Sequence, residues 1–224
     1  MKISLLHPSY GRPQKAYNAF MNWIASPFNI ENIEYILSID EHDPELMEYF
    51  KCFNHFTEEL NIQVIVNNNK SVVDATNAAA KIAKGDILVY VSDDFDCPAS
   101  YDVALMNAFT NKISMHEPAL LKVDDCLQKF DVPVLTIPIM NRCLYEKLGY
   151  FWHPEYKSMF VDEDLYWTCF NNNWLYLAPD LKFEHQHCSV GKSERDNTYI
   201  RSESNWDQGK ELFAKRKALN FPLS

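Results

Sequence analysis

The stretch "VYVSDDFDCP", residues 89–98, begins as an apolar strand and ends in three acids within four positions. Asp93, Asp94 and Asp96 carry like charges, which are costly to bring together unless a cation or shared protons neutralise them. Their oxygen ligands favour Mg²⁺ or Mn²⁺ over zinc. Taken alone, the stretch is as compatible with a helix N-cap or a solvated turn, because aspartate is common in both. The neighbouring segments therefore have to decide between a metal site and a turn.

Strands and helices alternate before this acidic motif. Apolar runs predict strands over residues 2–6, 33–40, 61–69 and 86–94, and helical patterns begin near residues 14, 43 and 71. Ser71 or Asp74 is expected to cap the third helix. This order predicts an α/β fold with an open, mostly parallel twisted sheet flanked by helices.

The polar groups that follow these strands are predicted to share one edge of the sheet, because ligands of open parallel sheets bind beyond the carboxyl ends of the strands. They are residues 7–12, Asp40, residues 67–69 and residues 92–96. The half of the chain after residue 98 is less regular, and a helix is expected near residues 206–219.

Composition limits the classes of partner. A formal charge of -10 and a pI of about 5.1 argue against broad binding of nucleic acid. The six cysteines are scattered without CxxC pairs, which predicts reduced thiols and a cytoplasmic protein. No signal peptide and no integral membrane segment are expected, since no stretch approaches the roughly 20 apolar residues that span a bilayer.

Four features in order resemble the GT-A glycosyltransferases, and most closely the large inverting family 2. They are a first strand followed by "HPSYGRP" (7–13), an acid that ends the second strand, the helix of "ATNAAAKIAKGD" (75–86), and "ILVYVSDDFDCP" (87–98). The resemblance implies a GT-A (nucleotide-diphospho-sugar transferase) fold in a single domain over residues 1–224. Residues 1–98 would form the donor half and residues 99–190 the acceptor half, followed by a C-terminal tail and helix over residues 191–224.

The resemblance also implies roles for residues at the sheet edge. Asp40 would accept hydrogen bonds from the base, Asp93 would lie near the ribose, and Asp94 would ligate the metal on the donor diphosphate. Ser92 stands where the first acid of the family's DxD motif usually lies, so the choice between Asp94 and Asp96 as chief ligand stays open. The residues assigned to the nucleotide sugar are Pro8, Ser9, Tyr10, Arg12, Asp40, Asn69, Asn77, Asp93 and Lys192.

The acidic segment "FVDEDLYW", residues 160–167, resembles the family segment that opens a helix beside the acceptor. An inverting transfer needs a carboxylate to deprotonate the acceptor hydroxyl. Asp162 is the preferred base and Asp164 the alternative. A purely structural role is also open, because acids in a first helical turn complement the helix dipole.

The stretch "FEHQHCSVGKSERD", residues 183–196, supplies further candidates. His185 and His187 alternate on a predicted strand, so they face one side and could complete a metal shell begun by carboxylates. An exposed strand face is the alternative. Lys192 adds positive charge that could close over a diphosphate. Aromatic side chains that could form the floor of an acceptor sugar site, with Trp152 preferred, are Tyr150, Phe151, Trp152, Tyr156 and Trp167.

These features together predict an inverting glycosyltransferase that depends on Mn²⁺ or Mg²⁺. Its donor would be a nucleotide sugar, by resemblance UDP-linked, and its acceptor a hydroxyl of a glycan or glycolipid, so the protein could be peripheral to a membrane-bound glycan pathway. A nucleotidyltransferase is an alternative, although the glycine-rich, basic first loop of that class is missing. A non-catalytic nucleotide- or carbohydrate-binding domain is another.

Overall fold

Four parallel strands form one half of the central sheet in the computed structural model, which describes residues 1–56, 60–111 and 113–223. They are β1 (Ile3–Ser9), β2 (Ile33–Asp40), β3 (Ile62–Asn67) and β4 (Ile87–Tyr90), and they lie in the order β3-β2-β1-β4. The α/β fold and the parallel sheet predicted from the sequence are confirmed. The carboxyl ends of β1, β2 and β4 meet at one edge.

Three helices connect these strands: α1 (Pro13–Ala25), α2 (Leu46–Phe53) and α3 (Val72–Ile82). Pro13 opens α1, a position where its missing N–H costs no helical hydrogen bond. The side chain of Ser71, and not that of Asp74, caps α3 by accepting a hydrogen bond from the backbone N–H of Asp74. These short connections fix the polar loops between them at the sheet edge.

Both faces of the sheet are buried, as expected of parallel strands covered by helices. Along β1, Leu5 belongs to one hydrophobic core and Leu6 to the other. Along β2, Leu37 and Ile36 divide in the same way. The two cores hold the strands rigidly, so the edge residues project from a fixed platform.

The second half extends the sheet on the β4 side. It adds the short β5 (Phe95–Asp96), then α4 (Tyr101–Asn111), β6 (Leu120–Asp124), β7 (Ile139–Asn141), α5 (Arg142–Leu148), α6 (Val161–Asn171), β8 (Leu175–Lys182) and β9 (Glu184–His185). The full seven-stranded order is β3-β2-β1-β4-β7-β6-β8, with β7 antiparallel to β4 and β6. Separately, β5 and β9 pair antiparallel, with Phe95 opposite His185.

Two helices complete the described chain: α7 (Asn197–Glu203) and α8 (Trp206–Ala218). The bounds of α8 agree with the helix predicted near residues 206–219. A buried ion pair between Arg216 Nε and Asp164 Oδ2, 2.6 Å apart, ties α8 to α6. Short 3-10 turns occur at Ile30–Asn32 and Cys188–Val190.

Candidate active site

A cavity of about 720 Å³ opens at the carboxyl ends of β1, β2 and β4. Its walls come from the loop after β1, the loop after β4, the first turn of α6, and the segment that contains α7. The residues predicted for the site that line this cavity are Pro8, Ser9, Tyr10, Arg12, Asp40, Asn69, Asp93, Asp94, Asp162, His185 and His187.

Asp93 is held by protein groups on the cavity wall. His7 Nε2 lies 2.8 Å from its Oδ1, and the Ser9 hydroxyl donates to the same carboxylate at 2.9 Å. Arg12 Nη1 is 3.8 Å from Oδ2. His7 is itself fully buried and fixed by a short contact with the Tyr35 hydroxyl. These donors keep the Asp93 carboxylate in one orientation.

Asp94 is surrounded by a different set of donors. The Ser92 hydroxyl donates to Oδ1 at 2.7 Å, while Oδ2 receives the Tyr199 hydroxyl at 2.6 Å and lies 3.3 Å from His185 Nε2. Burial acts to raise the pKa of Asp94, but the hydrogen bond and charge of His185 and the hydroxyls of Tyr199 and Ser92 outweigh it and hold the pKa well below its usual range. Asp94 is therefore ionised at any physiological pH.

Asp94 and His185 are suitably placed to share a divalent ion. Asp94 Oδ2 and His185 Nε2 lie 3.3 Å apart, and a carboxylate and an imidazole are ligand types that would hold Mn²⁺. The His185 ring stacks on Phe95 with centroids 4.2 Å apart, which fixes its plane. Within the described parts of the chain, no group of three or more His, Cys, Asp or Glu side chains is arranged to hold a metal.

His187 lies beside this pair and also lines the cavity. Its ring is 4.9 Å from that of His185 and 5.1 Å from that of Tyr199, measured between centroids. Burial, followed by the charge of His185, lowers the pKa of His187, so its imidazole is neutral at pH 7. Its Nδ1 is in hydrogen-bond contact with the Ser189 hydroxyl at 2.8 Å.

Asp96, the other predicted metal ligand of this stretch, lies outside the cavity. Successive residues of β5 face opposite ways, so Phe95 is buried while Asp96 is exposed outside the cavity. The Asp96 carboxylate accepts a hydrogen bond from Gln186 Nε2 at 2.8 Å. The structure thus brings Asp94, and not Asp96, to His185.

Several residues predicted to contact the nucleotide line the cavity next to the acids. Arg12 donates through Nε and Nη2 to Asp196, at 2.9 and 2.5 Å, and its guanidinium lies over the Tyr199 ring. Arg201 lies 3.8 Å above the Tyr10 ring and 4.0 Å from the Asp40 carboxylate.

The Asn69 side chain is held in place by the protein backbone. It is buried, and its Nδ2 donates to the backbone carbonyl of Ile39 at 3.0 Å. Asn69 therefore ties the residues after β3 to the end of β2, beside Asp40.

Two further residues predicted for donor binding lie elsewhere. The Asn77 amide bonds the backbone of residues 151 and 152, with Oδ1 accepting at 3.0 and 2.9 Å and Nδ2 donating at 2.8 Å. This arrangement clamps a loop and leaves Asn77 outside the cavity. Lys192 forms an exposed ion pair with Glu184, which holds its ammonium away from the cavity.

The two candidate bases of α6, Asp162 and Asp164, lie in different environments. Asp162 lines the cavity, and burial together with the charge of Glu163 raises the pKa of Asp162 to about 6, against opposing backbone hydrogen bonds. Asp164 is buried on the other side of the helix, where it accepts hydrogen bonds from Arg216 and from the Tyr156 hydroxyl. Asp162 is thus available to a ligand, whereas Asp164 stabilises the contact between α6 and α8.

The segment after residue 190 is where sequence reasoning missed functional residues. Asp196, Tyr199, Arg201 and Trp206 all contact the predicted donor site or line its cavity. They follow no spacing rule that would mark them in the sequence, which contains only a mixture of aromatic and charged residues there. His7 was expected at the sheet edge with the rest of residues 7–12 but was given no role of its own; it lies inside β1, where it contacts Asp93.

The comparisons with known proteins agree with this architecture. No protein-family model matches the sequence, and no curated protein matches it. Among solved structures, S. aureus TarS 1–349 in complex with UDP-GlcNAc matches with a TM-score of 0.69 and 16% identity, over 96% of this chain and 66% of that one. The mannosyltransferase PcManGT from Pyrobaculum calidifontis, in complex with GDP-Man and Mn²⁺, matches with a TM-score of 0.67 and 12% identity, over 99% and 72%.

The chain has the GT-A fold. It spans 64% of S. aureus TarS 1–349 and 39% of the longer TarS structure, at 15% identity to each. In the GT-A fold of this chain, the Asp94–His185 pair and Asp162 line one crevice at the carboxyl ends of the strands. Over the described residues, none of the helices has the length and apolar character needed to cross a bilayer.

Proposed function

We propose that this chain is a metal-dependent, inverting glycosyltransferase that moves a sugar from a nucleotide-diphosphate donor to a hydroxyl of a glycan or glycolipid. The observation that carries the proposal is one cavity lined both by an ionised carboxylate beside an imidazole, Asp94 and His185, and by a carboxyl of raised pKa, Asp162. The Asp94 and His185 pair suits a cation that binds a diphosphate, and Asp162 suits proton transfer.

The donor is proposed to be a UDP-sugar. Structures of TarS contain UDP and UDP-GlcNAc, and that of PcManGT contains GDP-Man with Mn²⁺. In this chain, the pocket beside Asp40 and Tyr10 would hold the base, and Arg12 would support the phosphates or ribose from the loop after β1. A cytoplasmic location stays a prediction of the cysteine pattern.

Asp94 and His185 are the residues that would hold Mn²⁺ or Mg²⁺, and the bound ion would stabilise the negative charge of the departing diphosphate as a Lewis acid. Asp162 would take the proton of the acceptor hydroxyl while that oxygen bonds to the anomeric carbon. The bond from this carbon to the diphosphate oxygen breaks in the same step. A single displacement of this kind places the base and the leaving group on opposite faces of the sugar, which inverts the anomeric centre.

The proposal is tested with a panel of nucleotide sugars and Mn²⁺, by measuring nucleotide release and the thermal stabilisation that UDP confers. Asp94→Asn is expected to abolish the Mn²⁺-dependent part of the stabilisation. Asp96→Asn, at an exposed carboxylate two residues away, is expected to keep it. If no nucleotide raises the melting temperature of the wild type, the donor site is wrongly assigned. An equal loss in Asp96→Asn would return Asp96 to the metal site.

A further inference from the structure

Trp206 is an exposed aromatic side chain on the wall of the catalytic cavity. It is the first residue of α8, and 48% of its surface is accessible. Among the cavity-lining residues that the structure describes, it is the one aromatic whose side chain is largely exposed. Exposed aromatic surface inside a cavity indicates a surface that receives a ligand.

The aromatics predicted for an acceptor site are not available for this purpose. Phe151 and Tyr156 are buried in the core, and Trp152 is only 4% exposed although it borders the cavity. Tyr150 and Trp167 are partly exposed but lie outside the cavity. The acceptor surface must therefore come from another part of the chain, and α8 supplies it.

Phe160, the residue just before α6, packs against the Trp206 ring. The two rings meet edge to face, with centroids 4.8 Å apart and planes at 64°. Phe160 adopts a left-handed backbone conformation with φ of 69°, which is strained for a bulky residue. It lies two residues before Asp162, so the contact couples the indole to the segment that carries the proposed base.

Two further contacts fix α8 against α6. A Cβ on Gly209 would lie 2.4 Å from the carbonyl oxygen of Met159, so the backbone of α8 packs directly against residue 159. About two turns after Gly209, the buried ion pair of Arg216 and Asp164 holds α8 against α6. Trp206 and Asp162 thus belong to one rigid pair of helices.

We propose that Trp206 is the platform for the acceptor, and that a hexopyranose of a glycan stacks the apolar C–H face of its ring on the indole. This inference rests on the proposed function and names its second substrate class. Aromatic faces pack well on apolar surfaces, while the polar rim of the sugar needs hydrogen-bond partners. Lys157, Ser202 and Asn205 line the same cavity and supply them. The stacked sugar then presents a hydroxyl toward Asp162.

The test observes the indole N–H signals by NMR while methyl glycosides of glucose, galactose, mannose and N-acetylglucosamine are titrated in turn. The chain has five tryptophans, and Trp206→Phe identifies the signal of Trp206 by removing it. At least one glycoside is expected to move that signal saturably. Trp206→Ala is expected to weaken the binding of this glycoside about tenfold, the size of a lost aromatic stacking contact.

Phe170→Ala is the matched control, because Phe170 is an exposed aromatic on α6 that lies outside the cavity. It should bind the glycoside as the wild type does. The inference is overturned if no glycoside moves the Trp206 signal, if another indole responds instead, or if Trp206→Ala keeps full affinity. Stabilisation by UDP and Mn²⁺ is measured on the same samples. Its absence would refute the donor function separately, whatever the indole signals show.

Discussion

The loop after β4 and the first turn of α6 each bring an aspartate to the same cavity, yet the two carboxylates meet opposite environments. Asp94 is surrounded by hydroxyl and imidazole donors that keep its pKa low. Asp162 has a pKa raised to about 6 by burial and by its acidic neighbour Glu163. The first environment suits permanent negative charge, and the second suits a group that gains and loses a proton.

The same contrast appears within α6. Asp162 and Asp164 are two residues apart, but Asp164 is paired with Arg216 and buried between helices. Residue type and sequence position are nearly the same for the two acids, so the partner groups decide whether each one holds structure or faces a ligand.

Asp162→Asn should have the largest effect on activity. Loss of a general base lowers the rate of transfer by about 10²–10⁴-fold, whereas nucleotide binding should remain as in the wild type because the donor contacts are elsewhere. Transfer assays and UDP thermal shifts measured on one preparation check both parts. Substantial sugar transfer by this variant would show that Asp162 is not the base, and the proposed difference in role between Asp94 and Asp162 would be wrong.

Arg216→Met should have the largest effect on stability. It leaves the Asp164 carboxylate buried and unpaired, which costs about 3–5 kcal/mol, and urea unfolding measures the loss. Asp164→Asn added to this variant should restore part of the stability. Arg195→Met is the control, because Arg195 pairs with Glu203 in solvent and should change stability little. Equal losses in the two arginine variants would show that the pair in α6 and α8 has no special role.

The pH profile gives a smaller and more specific effect. Asp162 must be ionised to act as a base, so kcat/KM should fall tenfold per pH unit below about pH 6. Glu163→Gln removes a neighbouring negative charge, so the fall in kcat/KM should begin at a lower pH. If the fall in kcat/KM stays at the same pH in this variant, a group other than Asp162 controls the pH dependence.

The same raised pKa affects stability. The folded carboxyl of Asp162 binds its proton more tightly than the unfolded one, whose pKa has the model-peptide value of 3.8. As pH rises from about 4 to 6, the unfolded state ionises first, and stability falls over that window. Asp162→Asn should lack this decline, which denaturant midpoints across the window would show.

The first half of the fold was predictable because its signals are local. The segments that form β2 and β3 are rich in isoleucine and valine, and Ser71 caps a regular alanine-rich helix. The rule that polar loops gather at the carboxyl edge then placed Asp40 and Asp94 together in one cavity.

The remaining site depends on contacts between distant parts of the chain. His185 reaches Asp94 only because β9 pairs with β5, two strands of two residues each, which are too short to leave a pattern in the sequence. The same pairing leaves Asp96 on the exposed side of β5. Tyr199 and Trp206 come from a segment whose composition is that of a polar tail, so only its packing reveals their role.

The long sequence separations in the site also determine when it forms during synthesis. The ion pair of Arg12 can form only after Asp196 has been synthesised, and the hydrogen bond to Asp94 only after Tyr199 has been synthesised. Because chains fold from the N-terminus as they leave the ribosome, the sheet formed by β1 to β4 can assemble well before these partners exist. A nascent chain shorter than about residue 199 would thus lack the partners that fix Arg12 and Asp94, and this wall of the cavity would be incomplete.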